Sequence, residues 1–182
     1  MKFVSTDIAD VIRIEPTVHA DSRGFFMEVW QAQRFADAGI DAQFVQENVS
    51  QSSRGTLRGL HYQLDKPQGK LVRVVLGEVF DVAVDLRRGS PSYGRWVSAV
   101  LSDENKHQLW VPPGFAHGFL VLSDTAIFEY KCTEYYAPEF ERSIRWDDPD
   151  IQIDWPLDSQ TQPILSERDA QAPLLRNADT YA

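Results

Sequence analysis

The run Lys70-Leu71-Val72-Arg73-Val74-Val75-Leu76-Gly77-Glu78-Val79-Phe80-Asp81-Val82-Ala83-Val84-Asp85-Leu86 reads as two strands rich in β-branched residues. Gly77-Glu78 between them is a turn signal, so the segment predicts a hairpin of Lys70–Leu76 with Val79–Leu86. Upstream, Val11–Ile14 and Phe44–Val49 read as strands, and the turn Asp21-Ser22-Arg23-Gly24 leads into another over Phe25–Trp30. Downstream, Arg95–Leu101, Gln108–Val111, His117–Leu122 and Ala126–Thr133 continue the series. Only Gln31–Ala38 is helix-compatible at any length, and Gly39 follows it as a natural terminator. Short strands at regular spacing with Gly and Pro between them predict an all-β sandwich or barrel. From Asp147 onward the chain is rich in Asp and Pro and is expected to wrap the surface, with a short helix.

The 182 residues suit one domain spanning 1–182. A formal charge of −9 argues against a nucleic-acid polymer or an anionic membrane as partner. A single cysteine, Cys132, excludes an intramolecular disulfide framework. No apolar run is long enough to span a bilayer, and Met1–Asp10 lacks a signal-peptide core, so the expected address is cytoplasmic. Charge is uneven: Arg54, Arg58, Lys66, Lys70 and Arg73 stand against Asp65 alone between Gln51 and Val75, while acids crowd Glu134–Asp158. The basic segment fits either a solvated sheet edge or a site for a small anion.

Among the histidines, His61 lies in Leu57-Arg58-Gly59-Leu60-His61-Tyr62-Gln63 and His117 in Pro112-Pro113-Gly114-Phe115-Ala116-His117-Gly118-Phe119. Gly55 ahead of His61 resembles the first cupin motif, and the Pro-x-Gly-x-x-His run resembles the second. A metal-binding cupin carries a second histidine two residues after the first and a glutamate soon after. Here Gln63 takes that place and Leu64–Lys70 contains no glutamate, so no metal is expected. His61 and His117 then become organic acid–base candidates, against the ordinary alternative of polar strand residues with their hydrogen bonds satisfied. Arg58, His61 and Lys70 could bind an anion and move a proton in one pocket. Arg58 and His61 are three apart, so a regular strand would send them to opposite faces; a shared site requires a bulge or strand end at Gly59.

These runs bring out a longer resemblance. Asp21-Ser22-Arg23-Gly24-Phe25-Phe26, Phe44-Val45-Gln46-Glu47-Asn48, Leu57–His61, Gln68–Arg73, Gly77–Asp85, Pro113–Phe119 and Tyr130-Lys131 follow the order seen in the dTDP-4-dehydrorhamnose 3,5-epimerases, metal-free cupins of nucleotide-sugar metabolism. The resemblance covers about Ile12 to Leu175. It implies a cupin-type jelly roll and epimerisation at C3 and C5 beside a C4 ketone, with no cofactor. It also implies a homodimer whose N-terminal strands help complete the partner's site. By resemblance His61 is the base, Asp169 its carboxylate partner, Lys70 the cation facing the substrate oxygen and Tyr130 the proton donor. Periodicity alone would make Tyr130 a core tyrosine, Lys70 a strand-edge lysine and Asp169 a helix N-terminal acid. Arg23, Arg58 and Arg168 match diphosphate contacts, with Arg168 standing where the family often has lysine. Glu28, Gln46, Glu47 and Asn48 match residues around the thymine, Tyr136 an aromatic that stacks on the base, Glu141 a further nucleotide contact and His117 a sugar or phosphate ligand. Three other readings share many of these residues: a single-site epimerase, a metal-dependent cupin oxygenase or isomerase, and a non-catalytic nucleotide-sugar binder.

Overall fold

A computed structural model describes residues 1–158 and 161–182. The strands in chain order are β1 (Lys2–Ser5), β2 (Ile12–Glu15), β3 (Val18–Asp21), β4 (Gly24–Met27), β5 (Gln46–Ser53), β6 (Leu57–Gln63), β7 (Lys70–Leu76), β8 (Glu78–Asp85), β9 (Trp96–Ser102), β10 (Gln108–Val111), β11 (Phe115–Val121), β12 (Thr125–Cys132) and β13 (Glu141–Ser143). They form a six-stranded sheet, β1-β2-β10-β7-β12-β5, a five-stranded sheet, β13-β6-β11-β8-β9, and a separate β3-β4 hairpin. The two main sheets face each other in the jelly-roll arrangement, as the strand pattern predicts.

The core between them explains the pattern. Val72, Val74, Leu109, Val111 and Phe128 of the first sheet meet Val79, Ala83, Leu101, Phe115 and Phe119 of the second. On the outer face of the six-stranded sheet lies a helix, α1 (Ala32–Asp37), whose Phe35 packs with Ile14, Leu71 and Trp110. The Gln31 side chain accepts from the Arg34 N–H at its start, and Gly39 closes it with φ +88°. Another apolar layer lies behind the five-stranded sheet. There Leu57, Leu60, Val82, Val84 and Leu120 are covered by Ile144, Ile151, Trp155 and Leu175 of the C-terminal region. β8 and β11 are therefore buried on both faces, which is why they read as near-continuous apolar runs instead of alternating ones. The expected C-terminal wrap is this layer, with a short helix, α2, at Glu167–Ala170.

The hairpin expected at Gly77-Glu78 does not form. β7 pairs with β10 and β12, whereas β8 pairs with β11 and β9 in the other sheet. Gly77 adopts φ +82°, and a Cβ there would collide with the Thr125 carbonyl oxygen. Ser123 Oγ accepts from the Glu78 N–H at 2.8 Å and donates to Thr125 O at 2.8 Å, fixing the chain as a corner between sheets. A left-handed glycine serves a corner as well as a hairpin, so the local turn signal could not separate them. The strand expected over Phe25–Trp30 stops at Met27, because β4 pairs only with β3 and leaves Phe25 and Phe26 exposed without a core to pack on. The strand expected from Phe44 starts at Gln46; Phe44 instead packs edge-on against Trp110.

Candidate active site

A cavity of about 140 Å³ opens between the two sheets. Arg58 and His61 on β6 and His117 and Phe119 on β11 line one wall; Ser50 on β5, Lys70 on β7, and Phe128 and Tyr130 on β12 line the other. Lys70 and the Arg58–His61 pair are thus close in sequence but belong to opposite sheets, not to adjoining strands. Two other cations of the basic segment point elsewhere: Arg54 pairs with Asp124 and Arg73 with Glu129.

Arg58 reaches the same cavity as His61 because β6 is irregular between them. His117 lies opposite His61 and Phe119 opposite Arg58, so three steps on β6 match two on β11. Gly59 sits inside the irregularity at φ +124°. Its missing Cβ is also essential there: one would lie 2.6 Å from Gly118 Cα and 2.7 Å from His117 O. Leu57 and Leu60 remain on the opposite, apolar side of β6.

The polar groups of the cavity wall have supports. His61 Nε2 lies 2.5 Å from Asp169 Oδ1, with Asp169 only 4% exposed. Asp169 is delivered by α2, whose N-cap Ser166 Oγ accepts from the Asp169 N–H at 3.1 Å. Burial raises the Asp169 carboxyl, but the hydrogen bond and charge of His61, with the Ser166 contact, outweigh it and hold the group below its ordinary value. His117 Nε2 lies 2.9 Å from both oxygens of Asp81, a fully buried carboxylate on β8. Burial pushes Asp81 upward, against the pull of His117 and Lys70. Arg58 Nε donates to Ser52 Oγ at 2.9 Å. Burial pushes the Lys70 ammonium below the ordinary lysine value, opposed by Cys132, Glu141 and Asp81. Burial likewise raises the Tyr130 phenol, which keeps it protonated at neutral pH.

Beside the cavity lies a second polar group. Gln46 and Asn48 share one face of β5, joined at 3.1 Å, and Gln46 Oε1 accepts from the Tyr136 N–H at 2.8 Å. The Tyr136 hydroxyl donates to Glu141 Oε2 at 2.5 Å, and Arg168 pairs with the same oxygen at 2.6 Å. Burial raises Glu141, yet Arg168 and Tyr136 hold it below its ordinary value. Half-exposed, Tyr136 stands beside a guanidinium, an arrangement that can receive a base and a phosphate.

Three expected residues lie elsewhere in this chain. Glu47 faces the other way from β5 and pairs with Lys131 at 2.5 Å. Arg23, 87% exposed, sits at the tip of the β3-β4 hairpin and pairs with Asp21; Glu28 pairs with Arg34 at 2.8 Å. Neither Arg23 nor Glu28 lines the cavity. Conversely, Asp81, Ser50, Ser52 and Ser166 are absent from the residues expected from the sequence. For Asp81 a signal existed: it shares strand parity with Val79 and Ala83 in an apolar run, so it had to be buried.

The family model of the dTDP-4-dehydrorhamnose 3,5-epimerases matches residues 5–177. The dTDP-4-dehydrorhamnose 3,5-epimerase of Pseudomonas aeruginosa is 57% identical over 100% of this chain and 99% of its own. That of Methanothermobacter thermautotrophicus is 53% identical over 99% of this chain and 97% of its own. The crystal structure of dTDP-6-deoxy-D-glucose-3,5-epimerase from Legionella pneumophila, in complex with dTDP-4-keto-L-rhamnose, superposes with a TM-score of 0.94 at 55% identity, covering 98% of this chain and 94% of that one. With a cavity bearing a carboxylate-paired histidine, a buried lysine and a tyrosine, and with these likenesses over essentially its whole length, the chain belongs to the dTDP-4-dehydrorhamnose 3,5-epimerase family.

Proposed function

We propose that the chain inverts C3 and C5 of dTDP-4-keto-6-deoxy-D-glucose to give dTDP-4-keto-L-rhamnose. The observation that carries this reading is the approach of His61 and Tyr130 to one cavity from opposite sheets. Inversion beside a ketone needs a base on one face of the carbon, a stabiliser for the enolate oxygen, and an acid on the other face. His61 takes the proton. Its contact with Asp169 fixes the ring and favours the imidazolium that results. The negative charge moves onto the C4 oxygen, where Lys70 receives it. Burial makes Lys70 costly to charge, and an enolate beside it offsets that cost. Tyr130 returns a proton from the opposite wall and is then reprotonated from solvent, while the His61 imidazolium gives its proton up to solvent, which resets both groups for the next carbon. The substrate's own ketone supplies the acidity, so the steps call on no redox partner.

The binding roles follow the same reading. Arg58, Arg168 and His117 hold phosphate or sugar oxygens, and Gln46, Asn48, Glu141 and Tyr136 hold the base and its neighbours. Arg23, Glu28 and Glu47 require a second copy of the chain. We propose a homodimer in which the β3-β4 hairpin of one copy reaches the other's site. Phe25 at 56% and Phe26 at 71% exposure support this, as does Val49 at 65% on the open face of the six-stranded sheet. The reaction is assigned to the cytoplasm, because a charged nucleotide sugar does not cross a bilayer unaided.

Proton NMR of the 4-keto-6-deoxyhexose nucleotide with the protein in D₂O tests the reading. Deuterium uptake with inversion at both carbons is expected. Inversion at C3 or C5 alone would make the chain a single-site epimerase, and no exchange above the blank would make it a binder.

A further inference from the structure

Gln63 stands on β6 two residues after His61, is only 3% exposed, and does not line the cavity. Its amide contacts backbone alone. Nε2 donates to the carbonyl oxygens of Lys66 at 2.8 Å and Tyr135 at 3.2 Å, and Oε1 accepts from the Ala137 N–H at 2.9 Å. One side chain therefore grips the residues on both sides of Tyr136. The Tyr136 N–H itself is held by Gln46.

Tyr136 needs that grip. It is 52% exposed, so packing does not fix it; its position is set by the backbone and by the hydroxyl contact to Glu141. A ring left free would have to be ordered by the ligand, at a cost in affinity. The Gln63 amide places one donor and its acceptor on the Tyr136 loop and its other donor on Lys66, in the connection from β6 to β7. Asparagine is one methylene shorter and would fall short of partners held at hydrogen-bond distance by β6 and the loop.

We propose that Gln63 is a positioning residue for nucleotide binding, holding the Tyr135–Ala137 backbone so that Tyr136 is presented ready for the base. This rests on the reading of Tyr136 as the base-stacking residue. At the position where metal cupins keep a ligand, this chain has instead an anchor for the loop that carries the nucleotide's aromatic wall.

The test is a double-mutant cycle read in two ways, as dTDP affinity by calorimetry and as KM against kcat with the 4-keto-6-deoxyhexose nucleotide. Gln63→Asn should raise the Kd for dTDP and the KM by about tenfold while kcat stays within about threefold, the scale of a lost backbone anchor. In a Tyr136→Ala background the same change should move Kd less than about twofold, because the residue it acts through is gone. An equal effect in both backgrounds, or a fall in kcat that matches the rise in KM, overturns the proposal. Gln63→Met repeats the cycle if Gln63→Asn does not fold. Failure of both to fold also overturns it, by making Gln63 a support of the core. Wild-type protein that binds dTDP without epimerising defeats the proposed reaction and leaves this inference standing. Wild-type protein that does not bind dTDP defeats this one.

Discussion

His61 Nε2 and Asp169 Oδ1 lie 2.5 Å apart although 108 residues separate them in the chain, and α2 stands in the place where it delivers that carboxylate. The pair gives a first prediction. Asp169→Asn keeps the shape but removes the charge that favours the imidazolium, so turnover should fall by at least ~10²-fold, as should that of His61→Ala. Stability carries an independent signature. The folded Asp169 value is depressed, so its contribution is fully present above the ordinary 3.8 and is lost as pH falls through the lower folded value. Denaturant melts should show Asp169→Asn less stable than wild type near neutrality, with the gap narrowing as pH falls through that window and closed below it. A gap that is unchanged there would mean the pairing is not ionic.

Tyr130 and His61 line opposite walls of the cavity, so under the proposed reaction deprotonation and inversion are separable. Tyr130→Phe removes the acid and leaves the base, so inversion should drop by at least ~10²-fold. Solvent deuterium should still enter the substrate from the His61 side with configuration retained. NMR in D₂O reads both outcomes in one tube. Loss of exchange in step with inversion would place Tyr130 in the deprotonation step instead.

Lys70→Met should lower exchange and inversion together, by about 10²–10³-fold, because both pass through the enolate. The pH profile adds a sign. Burial lowers the Lys70 value, so the wild-type rate should decline on the alkaline side at a pH below the ordinary 10.5. That limb should vanish from the residual activity of Lys70→Met. A limb that persists belongs to another group.

Much of this site could be read along the chain, and what could not has a physical pattern. Local signals carried far: the alternation in β12 already pointed Phe128, Tyr130 and Cys132 to one side, and the Arg58–His61 spacing demanded an irregularity at Gly59, where β6 has one. Contacts between distant segments did not announce themselves. Nothing near Asp169 specifies a histidine over a hundred residues back, and only the family resemblance joined them. Gly77 misled because the left-handed conformation fits two topologies, and the choice is made by Ser123 and Thr125 from another part of the chain. The basic segment was ambiguous in a similar way. Of the cations between Gln51 and Val75, only Arg58 and Lys70 line the cavity, since Arg54 sits in the turn after β5 and pairs with Asp124, while Arg73, of opposite strand parity to Lys70 on β7, pairs with Glu129.

The β3-β4 hairpin yields the last prediction, and it needs two lesions in different copies. Arg23 is exposed and does not line its own cavity, while His61 does. If Arg23 serves the partner's site, Arg23→Ala and His61→Ala homodimers should both be poor enzymes for different reasons. In a mixed dimer the two lesions fall in one site, the one whose His61 is lost and whose neighbour lacks Arg23, and the other site is wild type throughout. Unfolding and refolding the two variants together should therefore restore activity, toward about a quarter of wild type for random pairing of equal amounts. Phe26→Asp in both chains should abolish the recovery and shift the sedimentation coefficient toward the monomer, since it puts a charge on the most exposed apolar residue of the hairpin. Mixing without any recovery, while dimers are plainly present, would assign Arg23 to its own chain and require the hairpin to fold back.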